Sequence, residues 1–217
     1  MTDAHGNVMN TLTYKGTHYE LESIIFAINK HGDESIARHD SLKSLGRGHT
    51  VSASSPMTSL EPWARSSFST EEEEVVQNER FREHLVNISV LDENYNLTDT
   101  WEENSAIIFI IEGYEEEAIN EAHERSHVFF HNLYYYKAYA YQMINNMPQE
   151  ELDCMVEFLD RYDYSLTQDN IVDEIIAYYL QGDNQTGCFS GSGADINQDG
   201  RVSEVEEYLW YTAHPKP

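Results

Sequence analysis

Residues 123–127, with the sequence His-Glu-Arg-Ser-His, constrain the fold more than any other part of the chain. On an α-helix, a spacing of four residues turns the second imidazole only about 40° from the first and raises it about 6 Å, so both rings can reach one metal ion. Glu124 lies about 100° around the helix from His123 and can still reach a water in an open position of that metal. The segment therefore predicts a helix that carries a metal site.

The sequence before this segment favours such a helix. Residues 106–111 form an apolar run that predicts a short buried strand, and Gly113 ends it before a helical pattern that begins at about Glu115. Apolar and small residues then recur at helical spacing through the motif. These patterns predict an α+β fold that is mainly helical, with a small β-sheet.

A catalytic zinc ion usually takes three protein ligands and keeps a fourth position for water. His131 continues the series of histidines, but two turns of straight helix place it about 12 Å from His123, which is too far to share the ion. We therefore expect His131 on the helix surface or as a hydrogen-bond partner of a ligand.

A later helix over residues 168–180 offers better candidates for the third ligand. Thr167 can cap its start, and its apolar stripe leaves Glu174 near the edge of the packed face, where a carboxylate could meet the two histidines. The neighbouring Asp173 could be the ligand instead, or it could hydrogen-bond one of the imidazoles. Tyr178 lies one turn beyond Glu174, where its hydroxyl could stabilise the oxyanion that forms during attack on a carbonyl.

Together these residues resemble the zincin metallopeptidases, specifically the gluzincin arrangement, in which a His-Glu-x-x-His helix supplies two zinc ligands and a later helix supplies a Glu. The resemblance covers about residues 106–180. It implies that His123, His127 and Glu174 bind zinc and that Glu124 is the general base that activates water. The implied activity is hydrolysis of peptide bonds in a peptide or protein substrate.

A second motif, residues 195–206, has the ligand spacing of an EF-hand calcium loop. Oxygen donors stand at positions 1, 3, 5 and 12 of the loop, and Gly200 stands at the sharp turn of position 6. A helix is expected only after the loop, so a structural calcium ion that clamps the carboxyl-terminal tail is favoured over a switching sensor. Ser203 would bind directly or through water, and the other predicted calcium ligands are Asp195, Asn197, Asp199, Arg201 through its carbonyl, and Glu206.

The charge of the chain restricts its partners. The chain has 39 acidic and 13 basic residues, which give a net charge of −26. Such a surface repels nucleic acid and anionic membrane, and no apolar run approaches the length of a membrane span. It suits cations and basic substrates, or it only keeps the protein in solution. The sequence does not indicate an oligomeric state.

Two other functions remain open at this point. The segment around Cys188, Gly-Cys-Phe-Ser-Gly-Ser-Gly, resembles the nucleophile segment of caspase- and legumain-like cysteine peptidases, although the partner segment His31-Gly32 is expected at a helix end. Alternatively, the chain is a non-enzymatic calcium-binding or interaction protein that binds calcium without tight zinc binding. Cys154 and Cys188 are too few to indicate a disulfide framework. The amino terminus lacks the basic start and apolar core of a secretory signal, so we expect a cytoplasmic protein, with secretion by another route left open.

Three segments are predicted along the chain. They are residues 1–69, with a hairpin, a helix and a long surface loop; residues 70–182, the zincin-like core; and residues 183–217, the calcium loop and a C-terminal helix. The other expected elements are a hairpin between Leu12–Lys15 and His18–Glu22 that leads into a helix at about Glu20–Lys30, a loop over Asp40–Ser69, a helix opened by the capping box Thr70–Glu73 and running to about Val86, a strand at Ile88–Val90 paired with Ala106–Ile111, and a helix from Pro148 through Asp160.

Overall fold

The described part of the chain forms seven helices and three strands, so the predicted mainly helical α+β fold with a small sheet is confirmed. The computed structural model describes residues 11–31, 52–56, 60–66, 72–99, 101, 105–113, 117–162, 164, 166–180 and 186–189. The elements are β1 (Thr11–Gly16), α1 (His18–His31), β2 (Ser52–Pro56), α2 (Leu60–Ala64), α3 (Glu72–Asn87), β3 (Ala106–Ile111), α4 (Glu117–Asn132), α5 (Tyr134–Asn146), α6 (Gln149–Arg161) and α7 (Gln168–Leu180).

The described residues divide into two compact units between Glu117 and Ala118. We call the described residues up to Glu117 the N-terminal unit and those from Ala118 the C-terminal unit. The strands and helices α1–α3 belong to the N-terminal unit, and helices α5–α7 with nearly all of α4 belong to the C-terminal unit. Among the described helices, none is both long and apolar enough to cross a membrane.

The sheet of the N-terminal unit is built around the predicted strand 106–111. Its order is β1-β3-β2, with β1 parallel and β2 antiparallel to β3. All six residues of β3 are buried, which explains why this central strand is a continuous apolar run without alternation. The parallel register pairs Thr11 with Ala106 and Gly16 with Ile111.

The predicted pairing of Ile88–Val90 with this strand is wrong. These residues form the turn that ends α3, where the amide of Val90 donates to the carbonyl of Leu85 at 2.9 Å and Ser89 has a positive φ of 60°. Val90 is apolar because it is fully buried in the core of the N-terminal unit behind the helix end. A short apolar stretch cannot by itself distinguish such a cap from a strand.

The predicted N-terminal hairpin is also wrong, because β1 leads directly into α1. Glu20 Oε2 accepts hydrogen bonds from the amide of Thr17 at 2.9 Å and from its hydroxyl at 2.8 Å, and Thr17 Oγ1 accepts one from the amide of Glu20 at 3.3 Å. This is a capping box, and it starts the helix at His18 in a stretch whose side chains alternate like those of a strand. The helix expected at about Glu20–Lys30 is confirmed, with an earlier start.

The long loop predicted over residues 40–69 is wrong within residues 52–64. Strand β2 and helix α2 both lie there, and Leu60, Trp63 and Ala64 of α2 are fully buried. The indole Nε1 of Trp63 donates to Oδ1 of Asn78 at 2.9 Å, which ties α2 to α3. Strand β2 escaped prediction because its sequence, Ser-Ala-Ser-Ser-Pro, belongs to an edge strand and has no apolar alternation.

Three of the predicted helices are confirmed with nearly the expected limits. Helix α3 ends at Asn87, although Thr70 and Glu71 of its predicted capping box lie outside the described residues. Helix α6 begins directly after Pro148 and ends at Arg161. Helix α7 has the predicted limits, and the hydroxyl of Thr167 accepts a hydrogen bond from the amide of Asn170 at 3.4 Å.

A disulfide bond joins Cys154 of α6 to Cys188, beyond the end of α7. This pairing was not predicted, because two cysteines without a motif carry no information about their distance in space. The residue after the bridge, Phe189, is buried and packs edge-on against Tyr179 of α7, with ring centroids 5.3 Å apart. Cys188 and Phe189 are therefore held to the helices of the C-terminal unit by a covalent bond and an aromatic contact.

Candidate metal centre

Helix α4 brings the two motif histidines together. His123 Nε2 and His127 Nε2 are 3.1 Å apart, and the ring centroids are 4.7 Å apart. The helix is held against α5 on its inner face, where Ser126 and Tyr136 share a hydrogen bond of 2.7 Å and Phe129 packs on Tyr136. The spacing of four residues has the effect expected from helix geometry, because both rings present a nitrogen to the same point.

Glu174 on α7 faces both imidazoles. Its Oε2 atom is 3.8 Å from His127 Nε2 and 4.0 Å from His123 Nε2. The three separations define a triangle whose corners are all about 2.1 Å from one central point, which matches the length of zinc bonds to nitrogen and oxygen. His123, His127 and Glu174 can therefore hold one metal ion without a movement of either helix.

Asp173 occupies a different position from Glu174, although the two residues are adjacent. Its Oδ1 atom lies 3.0 Å from His127 Nδ1, and its Oδ2 atom lies 3.0 Å from His131 Nε2. This contact favours a proton on Nδ1 of His127, so the nitrogen that would lose its proton to bind a metal is Nε2, which faces Glu174. His131 therefore contacts Asp173, which in turn contacts the candidate ligand His127. The side chain of His131 is 45% exposed and is not one of the candidate ligands.

The site concentrates negative charge in a buried place. Glu124, Asp173 and Glu174 are each at most 9% exposed, and they surround the imidazoles of His123 and His127. Burial lowers the pKa of His127, but the carboxylates of Asp173 and Glu174 raise it more, and the result is a raised pKa of about 10. The same carboxylates that hold a proton on His127 would stabilise a metal cation in place of that proton.

Asp173 itself is shifted in the opposite direction. Burial raises the pKa of its carboxyl group, but the imidazoles of His127 and His131 outweigh burial and hold the pKa below its ordinary value. The carboxylate form of Asp173 is therefore the one that faces both rings at neutral pH.

Two tyrosines complete the wall of the site. The ring of Tyr178 packs edge-on against His123 with centroids 4.8 Å apart, and its hydroxyl lies 3.1 Å from the hydroxyl of Tyr164. Burial and the charge of Glu174 raise the pKa of both phenols above the ordinary value, so both remain hydrogen-bond donors at neutral pH. Tyr164 was not predicted, and it lies in the connection between α6 and α7, where no periodic pattern marks it.

Glu124 is buried, with 3% of its surface exposed, and it is close enough to the candidate ligands and the two tyrosines to affect their pKa values. Its charge raises the pKa of His127, and it does the same to the phenols of Tyr164 and Tyr178. The motif carboxylate, the two candidate histidine ligands and the two hydroxyl groups therefore belong to one cluster in the C-terminal unit.

The remaining predicted site residues are Cys188 and the calcium ligands. Cys188 is bonded to Cys154, so its sulfur is not a free thiolate, which disfavours the cysteine peptidase alternative. The predicted calcium ligands lie outside the described residues, and so does Ser203: Asp195, Asn197, Asp199, Arg201 and Glu206.

Comparisons of the chain with protein-family models, with curated proteins and with solved structures gave no match. The candidate metal centre is therefore supported by the positions of its own side chains.

Proposed function

We propose that this protein is a zinc-dependent hydrolase that cleaves peptide bonds. The observation that carries the proposal is the approach of Glu174 Oε2 to the Nε2 atoms of His123 and His127, at 4.0 and 3.8 Å. Two imidazoles and one carboxylate are a ligand set of catalytic zinc, which keeps its fourth position for water. Peptide substrates are proposed because the same ligand set, with a glutamate next to the first histidine, resembles the gluzincin arrangement.

In this proposal Glu124 is the general base. Bound zinc would lower the pKa of water and polarise the carbonyl of the substrate. Glu124 accepts the proton of the attacking water and passes it to the leaving amine nitrogen. Its carboxylate is buried beside the candidate ligands, where bulk water does not compete for it.

The hydroxyl of Tyr178 is the proposed donor to the oxyanion of the tetrahedral intermediate. Its ring is fixed against His123, and the hydroxyl of Tyr164 shares a hydrogen bond with it. A donor that is already oriented stabilises the developing negative charge without a reorganisation cost during the reaction. The raised pKa of both phenols keeps the protons in place for this role.

Metal analysis combined with two variants tests the proposal. Purified protein should contain about one zinc ion per chain, and His127→Ala should lose it because only two protein ligands remain. Glu124→Gln should keep the zinc and lose turnover of a mixed library of internally quenched peptides, because the amide cannot accept the proton. Absence of bound metal, or full turnover by Glu124→Gln, would overturn the proposal. Tight zinc binding without turnover of any peptide would favour a structural metal site in a non-enzymatic protein.

We also propose that the 195–206 loop binds a structural calcium ion, on the sequence evidence alone. The variant Asp195→Ala should lower the calcium content and leave the zinc content unchanged, because the two ligand sets share no residue. Measurement of both metals by mass spectrometry distinguishes the two sites. Calcium that is lost from His127→Ala as well would contradict their independence.

A further inference from the structure

An open groove lies on the C-terminal unit, between α5, α6 and the segment that contains α7. Its volume is about 700 Å3, which is the size of sites that bind ligands or peptide side chains. Apolar side chains from all three parts form its floor. They are Ile144 of α5, Leu152 and Val156 of α6, and Ile171 and Val172 of α7.

The rim of the groove is acidic. Asp153, Glu157 and Asp160 of α6 line it and are exposed. Glu157 pairs with Arg161 at 3.1 Å, and Arg161 is the one basic residue in the sequence of α6. Leu166 is 43% exposed at the edge of the groove, so an apolar residue stands in solvent next to these carboxylates.

We propose that this groove is a docking site for a basic amphipathic segment of a partner protein, with apolar side chains on one face and Lys or Arg beside them. Apolar side chains at helical spacing fit a floor made of helices, and the positive charges match the acidic rim. A second copy of this chain fits poorly, because its net charge of −26 repels the same rim. This proposal is independent of the proposed catalytic function, because no residue that lines the groove belongs to the candidate metal centre.

The first test uses a fluorescein-labelled helical peptide with Leu at positions i, i+3, i+4 and i+7 and Lys at most other positions. The full-length protein should bind it saturably, and the apparent dissociation constant should rise several-fold between about 50 and about 300 mM NaCl, because the rim charges are exposed to screening. A peptide with the same Leu residues and Glu in place of Lys should bind at least about tenfold more weakly. Failure to saturate, or equal binding of the two peptides, would overturn the proposal.

The second test locates the binding surface. Leu166→Asp removes an apolar contact and Asp160→Lys reverses a rim charge, and each should weaken binding of the Lys peptide at least about fivefold. Glu150→Lys is the matched control, since it makes the same change of sign at an exposed position of α6 that does not line the groove, and its effect should stay below about twofold. Equal effects of Asp160→Lys and Glu150→Lys would overturn the proposal in favour of general charge attraction.

Three further measurements serve as controls. Circular dichroism establishes that Leu166→Asp is folded, and this is expected because Leu166 is exposed. Sedimentation should show the same mass for this variant and the parent, whereas a change would identify the groove as a contact between copies and overturn the proposal. His123→Ala should bind the peptide as the parent does, so failure of the zinc proposal and failure of this one give different results.

Discussion

At the scale of single residues, Asp173 shows how one buried carboxylate can orient a candidate metal ligand. One oxygen faces His127 Nδ1 and the other faces His131 Nε2, each at 3.0 Å. Because both oxygens are engaged by imidazoles on the same helix, the carboxylate cannot rotate without loss of one contact. The ring of His127 is therefore held with Nε2 toward His123 and Glu174.

The variant Asp173→Asn tests this positioning role. We expect its zinc affinity to fall about 10- to 100-fold, because the amide orients the imidazole less well and lowers its basicity. Competition with a chelator of known affinity measures the change. His131→Asn serves as the comparison and should have a smaller effect, since His131 contacts Asp173 and is 45% exposed. Unchanged zinc affinity in Asp173→Asn would contradict the role.

Tyr178 offers a prediction about turnover rather than metal binding. Tyr178→Phe should lower kcat about 100- to 1000-fold, the usual cost of removing one oxyanion donor, and leave zinc content unchanged. Tyr164→Phe should give a smaller loss, because Tyr164 acts through the hydroxyl of Tyr178. Tyr162→Phe is a suitable control, as Tyr162 is 58% exposed. Steady-state kinetics would refute the assignment if Tyr178→Phe and Tyr162→Phe were equally active.

The sequence identified most of the candidate ligands because their spacing is local. His123 and His127 are one helical turn apart, so their meeting follows from helix geometry. Glu174 and Asp173 remained alternatives, since adjacent residues on a helix point only about 100° apart and the packing of α7 decides between them. Tyr164 could not be identified, because it meets Tyr178 through the path of a connection that has no repeating pattern.

At the scale of elements, polar contacts and a disulfide reinforce the packing of α7. The carboxylate of Asp169, in the first turn of α7, accepts hydrogen bonds from Lys137 at 2.7 Å and from the hydroxyl of Tyr141, both on α5. The hydrogen bond to Asp169 raises the pKa of Tyr141 to about 12. At the other end of α7, the bridge from Cys188 leads back to α6.

The contact of Asp169 with α5 predicts a pH dependence. The hydrogen bonds from Lys137 and Tyr141 lower the pKa of Asp169, so its stabilising contribution is present above the unfolded value of about 3.9 and is lost as the pH falls toward the folded value. Asp169→Asn should lower the free energy of unfolding by about 0.5 kcal/mol at pH 6, a small effect because the pair is exposed. Urea titrations should show this difference shrinking below about pH 4. An equal difference at pH 3 and pH 6 would contradict the prediction.

Loss of the disulfide should lower the free energy of unfolding more than Asp169→Asn does. Replacement of both Cys154 and Cys188 by Ser should lower the free energy of unfolding of the C-terminal unit by about 3–4 kcal/mol, because the bridge spans 34 residues of the unfolded chain. Urea unfolding of the variant and of the oxidised parent measures the change. The parent in the presence of a reductant should match the variant, and a loss below about 1 kcal/mol would show that the bridge contributes little.

Prediction of elements depended on whether local signals agreed. Helix α7 was predicted with its observed limits because Thr167 and an apolar stripe point to the same helix. The hairpin prediction failed where signals conflicted, since the capping box of Thr17 and Glu20 prevailed over an alternating pattern. Strand β2 was missed because its own sequence has no strand pattern, and its extended structure depends on pairing with β3.

At the scale of the whole molecule, the net charge of −26 opposes compactness through self-repulsion. We expect NaCl up to about 0.3 M to raise the urea midpoint of unfolding, because this repulsion is screened over distances of about 10 Å or less. Addition of the same ionic strength as sodium sulfate would mix screening with surface exclusion, so NaCl is the cleaner salt. A midpoint that falls with NaCl would show that attractive ion pairs dominate instead.

The fold class and the histidine pair of the candidate metal centre could be predicted from the sequence because both depend on patterns within single elements. The approach of Glu174 to that pair depends on the packing of α7. The division between Glu117 and Ala118 could not be predicted, since it depends on contacts between distant segments. The three-part division at residues 69 and 182 and the calcium loop stay predictions.

The order of strands in the sheet has a consequence for biosynthesis. Of the three described strands, the middle one, β3, comes last in the chain and is therefore synthesised after both of its neighbours. Within the described sheet, β1 and β2 have no partner until residues 106–111 emerge and insert between them, and such distant pairings form slowly. A nascent chain that stops before Ile111 thus carries two unpaired strands, and it is this intermediate that chaperones would have to protect.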